Sequence, residues 1–312
     1  MTDIKKFYNV SKEIGENYSL IQGAGGNTSF KDGDYIAIKK SGSNLSESIK
    51  NDIFSSKNLI DLKNFYNNET QNKKYSDELS IETPLHIIFS EKYVFHYHSL
   101  LSIIISVGQH KDSVKKICER LNISWIPYKR PGVELAKEVD SKLASSNNRI
   151  FFLQNHGMLL GANEIDEVSE TITRLENSFL ELLGLTDSFC RINLNYLGLS
   201  NDSLHMYGVT GSANLENLEL INDKFLFPDH AVFGNYKYFS KDKVTSFKEN
   251  ELFWKDDYLF SLDRIPATEI ETLRSVVIIT THIKKIYNFI DATTALNLIS
   301  SEDEQYRIKK NK

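Results

Sequence analysis

Residues 92–107 read KYVFHYHSLLSIIISV, and this stretch joins the two patterns that decide the fold, a strand and the start of a buried helix. Its first half is rich in aromatic and β-branched residues, which favours a strand, and its second half is almost wholly apolar. Because side chains alternate between the two faces of a strand, His96 and His98 are expected to point to the same side. Two imidazoles on one side of a strand can bind one metal ion.

A third histidine follows another short apolar run. Residues 150–153, IFFL, predict a buried strand, and His156 lies just beyond it, next to Gly157, which allows a sharp turn. Three neutral imidazoles leave the fourth position of zinc open for water or substrate, as in catalytic zinc sites. A His-x-His pair also arises by chance on strands, so the interpretation depends on the neighbouring motifs.

The segment 80–86, SIETPLH, supplies a candidate general base. Ser80 is a suitable N-cap and Pro84 is tolerated in a first helical turn, so Glu82 is expected at the start of a helix. A glutamate beside a metal suits chemistry that removes a proton next to a carbonyl, since the metal stabilises the enediolate. The alternative is a solvated glutamate favoured by the helix dipole. His86 is expected to pack behind the site rather than bind metal.

A glycine-rich segment, GAGGNTS, lies near the N-terminus at residues 23–29. It has neither the Gly-Lys-Ser/Thr ending of a Walker loop nor the spacing of a dinucleotide fingerprint, which argues against nucleotide binding. Asn27, Thr28 and Ser29, together with the SGS turn at residues 41–43, can present amides and hydroxyls to a phosphate. The alternative is two ordinary turns.

The composition is typical of a globular enzyme. The chain has 312 residues, 40% of them hydrophobic and 25% charged, enough for one large or two modest domains. Its formal net charge of −5, with acids and lysines interspersed, disfavours nucleic-acid partners. The two cysteines lack metal-motif spacing, the first residues lack the apolar core of a signal peptide, and no apolar run is long enough to span a membrane. These features predict a cytoplasmic protein without a disulfide framework or a membrane partner.

Hydrophobic periodicity predicts a sheet between helical layers. The predicted elements are a strand at 35–38 between the two candidate phosphate loops, the strand at 150–153, and helices at 133–144, 164–183 and 265–288. After about residue 190 the pattern changes to short mixed segments. We therefore expect a catalytic core at residues 1–190 and an extension at residues 191–312 packed on the same domain.

Taken in order, these motifs resemble the class II aldolase/adducin family, and most of all the rhamnulose-1-phosphate aldolases, including the aldolase portion of bifunctional aldolase/dehydrogenase proteins. The matching motifs are GGNTS at 25–29, SG at 41–42, SIET at 80–83, HYHS at 96–99, PY at 127–128, PG at 131–132 and QNHG at 154–157. The resemblance implies an α/β fold of the class II aldolase/adducin type, with a central, mostly antiparallel β-sheet between helical layers and a C-terminal α+β extension.

The family resemblance also implies roles for particular residues. His96, His98 and His156 would bind one Zn²⁺ per subunit, although imidazoles accept other divalent metals as well. Glu82 would act as acid and base, and Tyr128 would help to handle the leaving aldehyde, with a packed structural tyrosine as the alternative. The residues implied to bind the substrate phosphate are Gly26, Asn27, Thr28, Ser41, Gly42 and Ser80.

The function implied is that of a zinc-dependent carbon–carbon lyase in carbohydrate metabolism. It would be an aldolase that cleaves a ketose 1-phosphate to dihydroxyacetone phosphate and a short aldehyde through a metal-stabilised enediolate. Its partner would be a small phosphorylated sugar, and the relatives form homotetramers. The alternatives on the same fold are a sugar-acid phosphate decarboxylase and a pentulose-phosphate epimerase, which tends to carry aspartate in the place of Glu82. A non-catalytic, adducin-like interaction protein is disfavoured, since it has no need of three histidines and a glutamate in these motifs.

Overall fold

The computed structural model describes residues 3–50, 52–68, 75–244 and 246–310. The chain divides into two compact units. The first comprises Met1–Ser102 and Asp112–Phe179, and the second comprises Ile103–Lys111 and Leu180–Lys312. We call them the N-terminal unit and the C-terminal unit, and all the candidate site residues belong to the N-terminal unit.

The N-terminal unit is built on a seven-stranded sheet. Its strands are β1 (Asn27–Asp32), β2 (Tyr35–Lys39), β3 (Phe54–Asn58), β4 (Tyr93–Tyr97), β5 (Ser124–Ile126), β6 (Ile150–Leu153) and β7 (Gly157–Ala162). They lie in the order β3-β2-β1-β4-β7-β6-β5. Every neighbouring pair is antiparallel except β5 and β6, which are parallel. The expected central, mostly antiparallel sheet is therefore confirmed.

Helices alternate with these strands along the chain. They are α1 (Asp3–Glu16), α2 (Leu59–Asn67), α3 (Thr83–Ile87), α4 (Leu100–Gly108), α5 (Lys111–Arg120), α6 (Val133–Ser145) and α7 (Ile165–Leu183). The helices predicted at 133–144 and 164–183 correspond to α6 and α7, each with one end shifted by a single residue. The residues of α7 that are buried, at spacings of three and four, are Ile165, Val168, Ile172, Leu175 and Phe179.

A hydrophobic cluster anchors α3 and α6 on the sheet. Its buried members include Leu85 of α3, Val94 of β4, Leu135 of α6 and Phe151 of β6. Full burial of one such side chain stabilises the fold by about 1.5–3 kcal/mol. The cluster therefore holds the first turn of α3, and with it Glu82, against the strands that carry the histidines.

Strand β1 is not predicted from the sequence; it begins within the glycine-rich segment and ends before residues 35–38. It forms a hairpin with β2 through a two-residue turn at 33–34, where Gly33 has a φ of +57°. Gly-Asp is a recognised two-residue hairpin loop, but the polar start of β1 has weak strand propensity. Residues 27–29 are consequently strand residues rather than loop residues, and their side chains alternate between two faces.

The C-terminal unit contains a second sheet, of five strands. They are β8 (Asn193–Leu199), β9 (His205–Thr210), β10 (Lys237–Ser240), β11 (Glu251–Lys255) and β12 (Tyr258–Ser261). Their order is β10-β11-β12-β9-β8, antiparallel except between β10 and β11. The helices are α8 (Pro228–Phe233), α9 (Ala267–Thr281), α10 (Ala292–Ile299) and α11 (Glu302–Lys310). The expected α+β character of this part of the chain is confirmed.

The helix predicted at 265–288 is wrong at its C-terminal end, because α9 ends at Thr281. Beyond it, the backbone N–H groups of Tyr287 and Asn288 donate to Val107 O, at 2.9 and 3.4 Å. These bonds satisfy the backbone without a further helical turn. Their acceptor is remote in sequence, so local periodicity could not reveal it.

Among the residues that the structure describes, no helix is both long enough and apolar enough to cross a membrane.

Candidate metal centre

Four side chains converge in the N-terminal unit, those of Glu82, His96, His98 and His156. One ligand atom of each lies within 4.8 Å of the others, and all four residues are buried. Glu82 directly precedes α3, His96 lies in β4, His98 follows that strand, and His156 lies in the turn between β6 and β7. Alternation along β4 therefore brings two imidazoles to one side, as the sequence predicts.

Gly157 allows the β6–β7 turn to lie directly against β4. Its φ is +142°, and a Cβ atom at this position would overlap Tyr97 O and lie 3.0 Å from His98 Cα. Contacts that short are not tolerated, so a larger residue would push the turn away from the strand. The glycine thus places His156 beside His96 and His98.

The hydrogen bonds of His96 determine which of its nitrogens can bind a metal. Its Nδ1 lies 2.9 Å from Met158 O, a carbonyl that can only accept, so we infer that Nδ1 carries the proton. The neutral ring then presents the lone pair of Nε2, which lies 3.3 Å from His156 Nε2. Metal sites commonly orient a ligating imidazole in this way, through a hydrogen bond from its other nitrogen.

The Glu82 carboxylate faces two of these imidazoles. Its Oε1 lies 3.2 Å from His156 Nε2 and 3.5 Å from His96 Nε2. Its Oε2 accepts a hydrogen bond of 2.9 Å from Asn27 Nδ2. Burial favours the neutral acid, but the adjacent imidazoles outweigh burial and hold the pKa of Glu82 well below its ordinary value. The residue is therefore a carboxylate at neutral pH and can accept a proton.

This set of donors fits a divalent cation. Three imidazoles and a carboxylate suit Zn²⁺, Co²⁺, Ni²⁺ or Fe²⁺ better than Ca²⁺ or Mg²⁺, without selecting one ion. A buried carboxylate also needs a positive partner, which a cation bound among the imidazoles supplies. The residues present can thus hold the metal that the sequence motifs imply.

The first predicted phosphate residues lie on β1. Asn27 points to the side of the cluster, where it donates to the carboxylate described above. Thr28 projects to the other face, where its hydroxyl lies 2.9 Å from Ser11 Oγ of α1. Ser29, on the same face as Asn27, lies 2.9 Å from Nδ1 of the buried His86. The structure therefore brings Asn27 to the cluster, turns the Thr28 hydroxyl away from it, and places His86 behind it.

Lys39, which no motif singled out, joins the two predicted phosphate loops. It ends β2, is 1% exposed, and donates from Nζ to Ala24 O at 2.7 Å and to Ser43 O at 2.8 Å. The first carbonyl belongs to the glycine-rich segment and the second to the 41–43 turn. A buried ammonium between the loops also gives them a positive potential that favours an anion. The signal in the sequence is a lysine that closes an apolar strand directly before a Ser-Gly turn.

Ser41 and Ser80 lie on neighbouring segments. The N–H of Ser41 donates to Glu78 O at 2.8 Å, so its turn lies beside the chain that leads into α3. Ser80 Oγ accepts the N–H of Glu82 at 3.2 Å. Because α3 begins at Thr83, its N-cap is Glu82 and not the expected Ser80, although Glu82 does lie at the helix start as predicted.

Gly26 and Gly42 provide the left-handed turns of the two loops, with φ of +64° and +69°. At Gly26, a Cβ atom would overlap Ile21 Cδ1 and lie 2.9 Å from His96 O. The absence of a side chain therefore lets the first loop run directly against the strand that carries His96.

Tyr128 lies in the loop between β5 and α6 and is half-buried. Its backbone N–H lies 3.4 Å from Gln154 Oε1. Gln154 is the first residue of the turn that carries His156. The structure thus connects the Tyr128 loop to the cluster through the backbone of Tyr128 and the side chain of Gln154.

Replacing Lys39 with methionine is expected to destabilise the protein by about 1–3 kcal/mol, because two partly buried loop carbonyls would lose their donor. The free energy of unfolding in urea measures the effect. Lys40→Met is the matched control, since Lys40 Nζ pairs with the exposed Asp52 at 3.1 Å, and it should lose less than about 1 kcal/mol. Equal losses in the two variants would contradict the role of Lys39 in joining the loops.

A protein-family model and several solved structures match this chain. The protein-family model described as "Class II Aldolase and Adducin N-terminal domain" matches residues 5–182, more than half of the chain. No curated protein matches the chain. Among solved structures, the N-terminal class II aldolase domain of a conserved protein from Thermoplasma acidophilum is 24% identical, with a TM-score of 0.51, and the match covers 58% of this chain and 94% of that one.

Two further solved structures match a similar part of the chain. L-fuculose-1-phosphate aldolase from Thermus thermophilus is 18% identical, with a TM-score of 0.41, over 57% of this chain and 94% of that one. A sugar-phosphate aldolase from Thermotoga maritima is 15% identical, with a TM-score of 0.43, over 58% and 94% of the respective chains.

Proposed function

The chain belongs to the class II aldolase and adducin family, and from this premise we propose that it is a metal-dependent aldolase that cleaves a ketose 1-phosphate to dihydroxyacetone phosphate and a short aldehyde. The observation that carries the proposal is the buried convergence of His96, His98 and His156 on the Glu82 carboxylate. Such a cluster is the arrangement expected of a catalytic metal site with an adjacent acid and base.

The three histidines would hold the metal, which we propose to be Zn²⁺ with one ion per subunit. When bound, Zn²⁺ supplies Lewis-acid stabilisation of negative charge that develops on the substrate oxygens. Protonation of Nδ1 in His96 keeps its Nε2 lone pair directed at the cluster, so this ligand is oriented before the metal arrives.

The substrate phosphate would lie between the two loops that Lys39 joins. The candidate groups there are those of Gly26, Asn27, Thr28, Ser41, Gly42 and Ser80. Lys39 supports this assignment, because its buried ammonium bonds both loops and places positive charge beneath them. Thr28 would contribute through its backbone, since its hydroxyl lies beside Ser11 on the other face of β1.

Glu82 would move the proton in the reaction. Cleavage breaks the bond between C3 and C4 of the ketose, the C4 hydroxyl becomes the aldehyde carbonyl, and the bonding electrons form an enediolate. The proton released by that hydroxyl passes to the Glu82 carboxylate and returns to C3 of the enediolate, so no external acid is needed. The position of Glu82 supports this role, because its Oε1 lies 3.2 Å from His156 Nε2, beside the atoms that would hold the metal.

Tyr128 would bind the oxygen of the leaving aldehyde. Support comes from the hydrogen bond between its backbone and Gln154, which ties its loop to the His156 turn. The sequence motifs resemble most those of the rhamnulose-1-phosphate aldolases, and a homotetramer is the assembly that this resemblance implies. The C-terminal unit would then be an extension of the same enzyme.

The proposal is tested by aldol synthesis, the reverse reaction. Protein stripped of metal and reloaded with Zn²⁺ is incubated with dihydroxyacetone phosphate and a panel of short hydroxyaldehydes, and ketose 1-phosphates are detected by mass spectrometry. Product that requires the metal is expected. Release of CO₂ from sugar-acid phosphates, or epimerisation of pentulose phosphates, without any aldol product would replace the aldolase with one of the two alternative enzymes.

A further inference from the structure

Glu176 is a half-buried residue of the N-terminal unit whose carboxyl oxygen Oε1 is buried. It lies on α7, next to the buried Leu175 and one turn after the buried Ile172. An amphipathic helix normally carries an apolar residue beside its buried face. A carboxyl group in this place needs an explanation other than hydrophobic packing.

The Glu176 carboxyl is bonded to the chain that directly follows the metal-ligand strand. Ser99 Oγ donates to Glu176 Oε2 at 3.0 Å, and the same hydroxyl accepts the N–H of Ser102 at 3.1 Å. Ser99 is fully buried and caps the start of α4. One hydroxyl therefore joins three elements, namely α7, the end of β4 and the first turn of α4.

Two buried polar atoms at and near Glu176 lack hydrogen-bond partners within the described part of the chain. Its Oε1 is buried and has no hydrogen-bond partner among the described residues, and the same is true of the hydroxyl of Tyr97. Burial raises the pKa of Glu176 to about 8, so the group is largely a neutral acid at pH 7. Buried polar atoms without partners lower stability, which indicates that stability is not the reason for this carboxyl group.

The backbone of His98 accepts a hydrogen bond of 3.3 Å from Gln22 Nε2, and further contacts constrain the residue on two sides. On one side, Gly157 and Gly25 pack so closely that a Cβ atom would lie 3.0 Å from His98 Cα and 2.8 Å from His98 Nδ1, respectively. On the other side, the next residue along the chain is Ser99, held by Glu176. The histidine follows the end of β4, so it lacks the strand pairing that fixes His96.

We propose that Glu176 is a positioning residue for the metal ligand His98, acting through its hydrogen bond to Ser99. The inference rests on the metal site of the proposed function, but not on the identity of the reaction. It assigns to Glu176 the task of fixing the backbone where the second histidine leaves the sheet.

The test measures metal binding by the full-length protein. Zn²⁺ affinity is determined by competition with a chromophoric chelator, and the visible absorption of bound Co²⁺ reports the ligand geometry. Glu176→Leu is expected to weaken Zn²⁺ binding about tenfold and to change the Co²⁺ spectrum, with a melting temperature close to that of the wild type. Glu176→Gln keeps an acceptor for Ser99, so its affinity should stay within about twofold of the wild type.

Ile172→Ala is the matched control, since it removes buried volume from the same helix without touching Ser99. It should lower the melting temperature and leave Zn²⁺ affinity unchanged. If Glu176→Leu does not fold, Ser99→Ala takes its place and should weaken Zn²⁺ binding to a similar degree.

Unchanged affinity in Glu176→Leu or in its substitute Ser99→Ala, or an equal loss of affinity in Ile172→Ala, would overturn the inference. A wild-type protein that binds neither metal would overturn the metal site, and this inference with it. The expected affinities in a protein without aldolase activity would leave the inference standing and refute only the proposed reaction.

Discussion

Replacing Glu82 with glutamine is expected to slow aldol synthesis about 10³-fold, the effect typical of removing a general acid and base. Glutamine keeps the size of the side chain and an oxygen that can accept the hydrogen bond from Asn27, which is 2.9 Å long in the native protein. The variant should therefore fold normally and retain Zn²⁺ with an affinity within about tenfold of the wild type. The measurements are kcat for the synthesis reaction and the zinc content after dialysis.

Glu91→Gln provides a matched control for this variant. Glu91 is also a buried glutamate of the N-terminal unit, but its carboxylate pairs with Arg149 at 2.6 Å. Its substitution is expected to change kcat by less than about threefold. A Glu82→Gln protein that holds zinc and keeps more than a tenth of the wild-type kcat would remove Glu82 from the mechanism.

Replacing His156 with alanine is expected to weaken Zn²⁺ binding at least about 100-fold, since it removes one of three imidazole ligands. The loss is visible in thermal stability. Zinc at 100 times the wild-type Kd stabilises the native protein by about 2.7 kcal/mol, and the same zinc concentration would stabilise the variant by only about 0.4 kcal/mol. Denaturation with and without Zn²⁺ measures both values.

His86→Asn is the control for His156→Ala. His86 is fully buried in the same unit, but its Nδ1 is engaged with Ser29 Oγ and it does not belong to the cluster. Its variant is expected to keep the full zinc-dependent stabilisation, even if the metal-free protein is less stable. Loss of that stabilisation in both variants would indicate general damage to the sheet rather than removal of a ligand.

The histidine cluster illustrates what the sequence alone could predict. The alternation of His96 and His98 along one strand, the apolar run before His156 and the turn at Gly157 are all local patterns with one simple structural outcome. Pro84 and the residues around it likewise placed Glu82 at a helix start. These predictions required only secondary structure, and the sheet order then brought the four side chains together.

Strand β1 could not be predicted in the same way, because its polar residues gain their partners from distant parts of the chain. Asn27 bonds Glu82, Thr28 contacts Ser11, and Ser29 contacts His86. No local pattern shows that these hydrogen bonds exist, so the strand looks like a loop in the sequence. Because side chains alternate along β1, Asn27 points to the histidine cluster and the Thr28 hydroxyl points away from it.

The roles of Lys39 and Glu176 could not be predicted from the sequence for a related reason. Lys39 is a buried lysine at the end of a strand, Glu176 is a half-buried glutamate within a helix, and each bonds a segment outside its own element. A lysine or glutamate inside an apolar pattern is itself a signal, because such groups are rarely buried without a partner. The signal identifies the residue but not the partner.

Solvent deuterium exchange into dihydroxyacetone phosphate, followed by NMR, tests the central claim most directly, because it detects enediolate formation without any knowledge of the aldehyde. Protein loaded with Zn²⁺ is expected to exchange one carbon-bound proton of the hydroxymethyl group next to the carbonyl, whereas metal-free protein and zinc-loaded Glu82→Gln should not. A zinc-loaded wild-type protein that leaves this proton unexchanged would contradict the account.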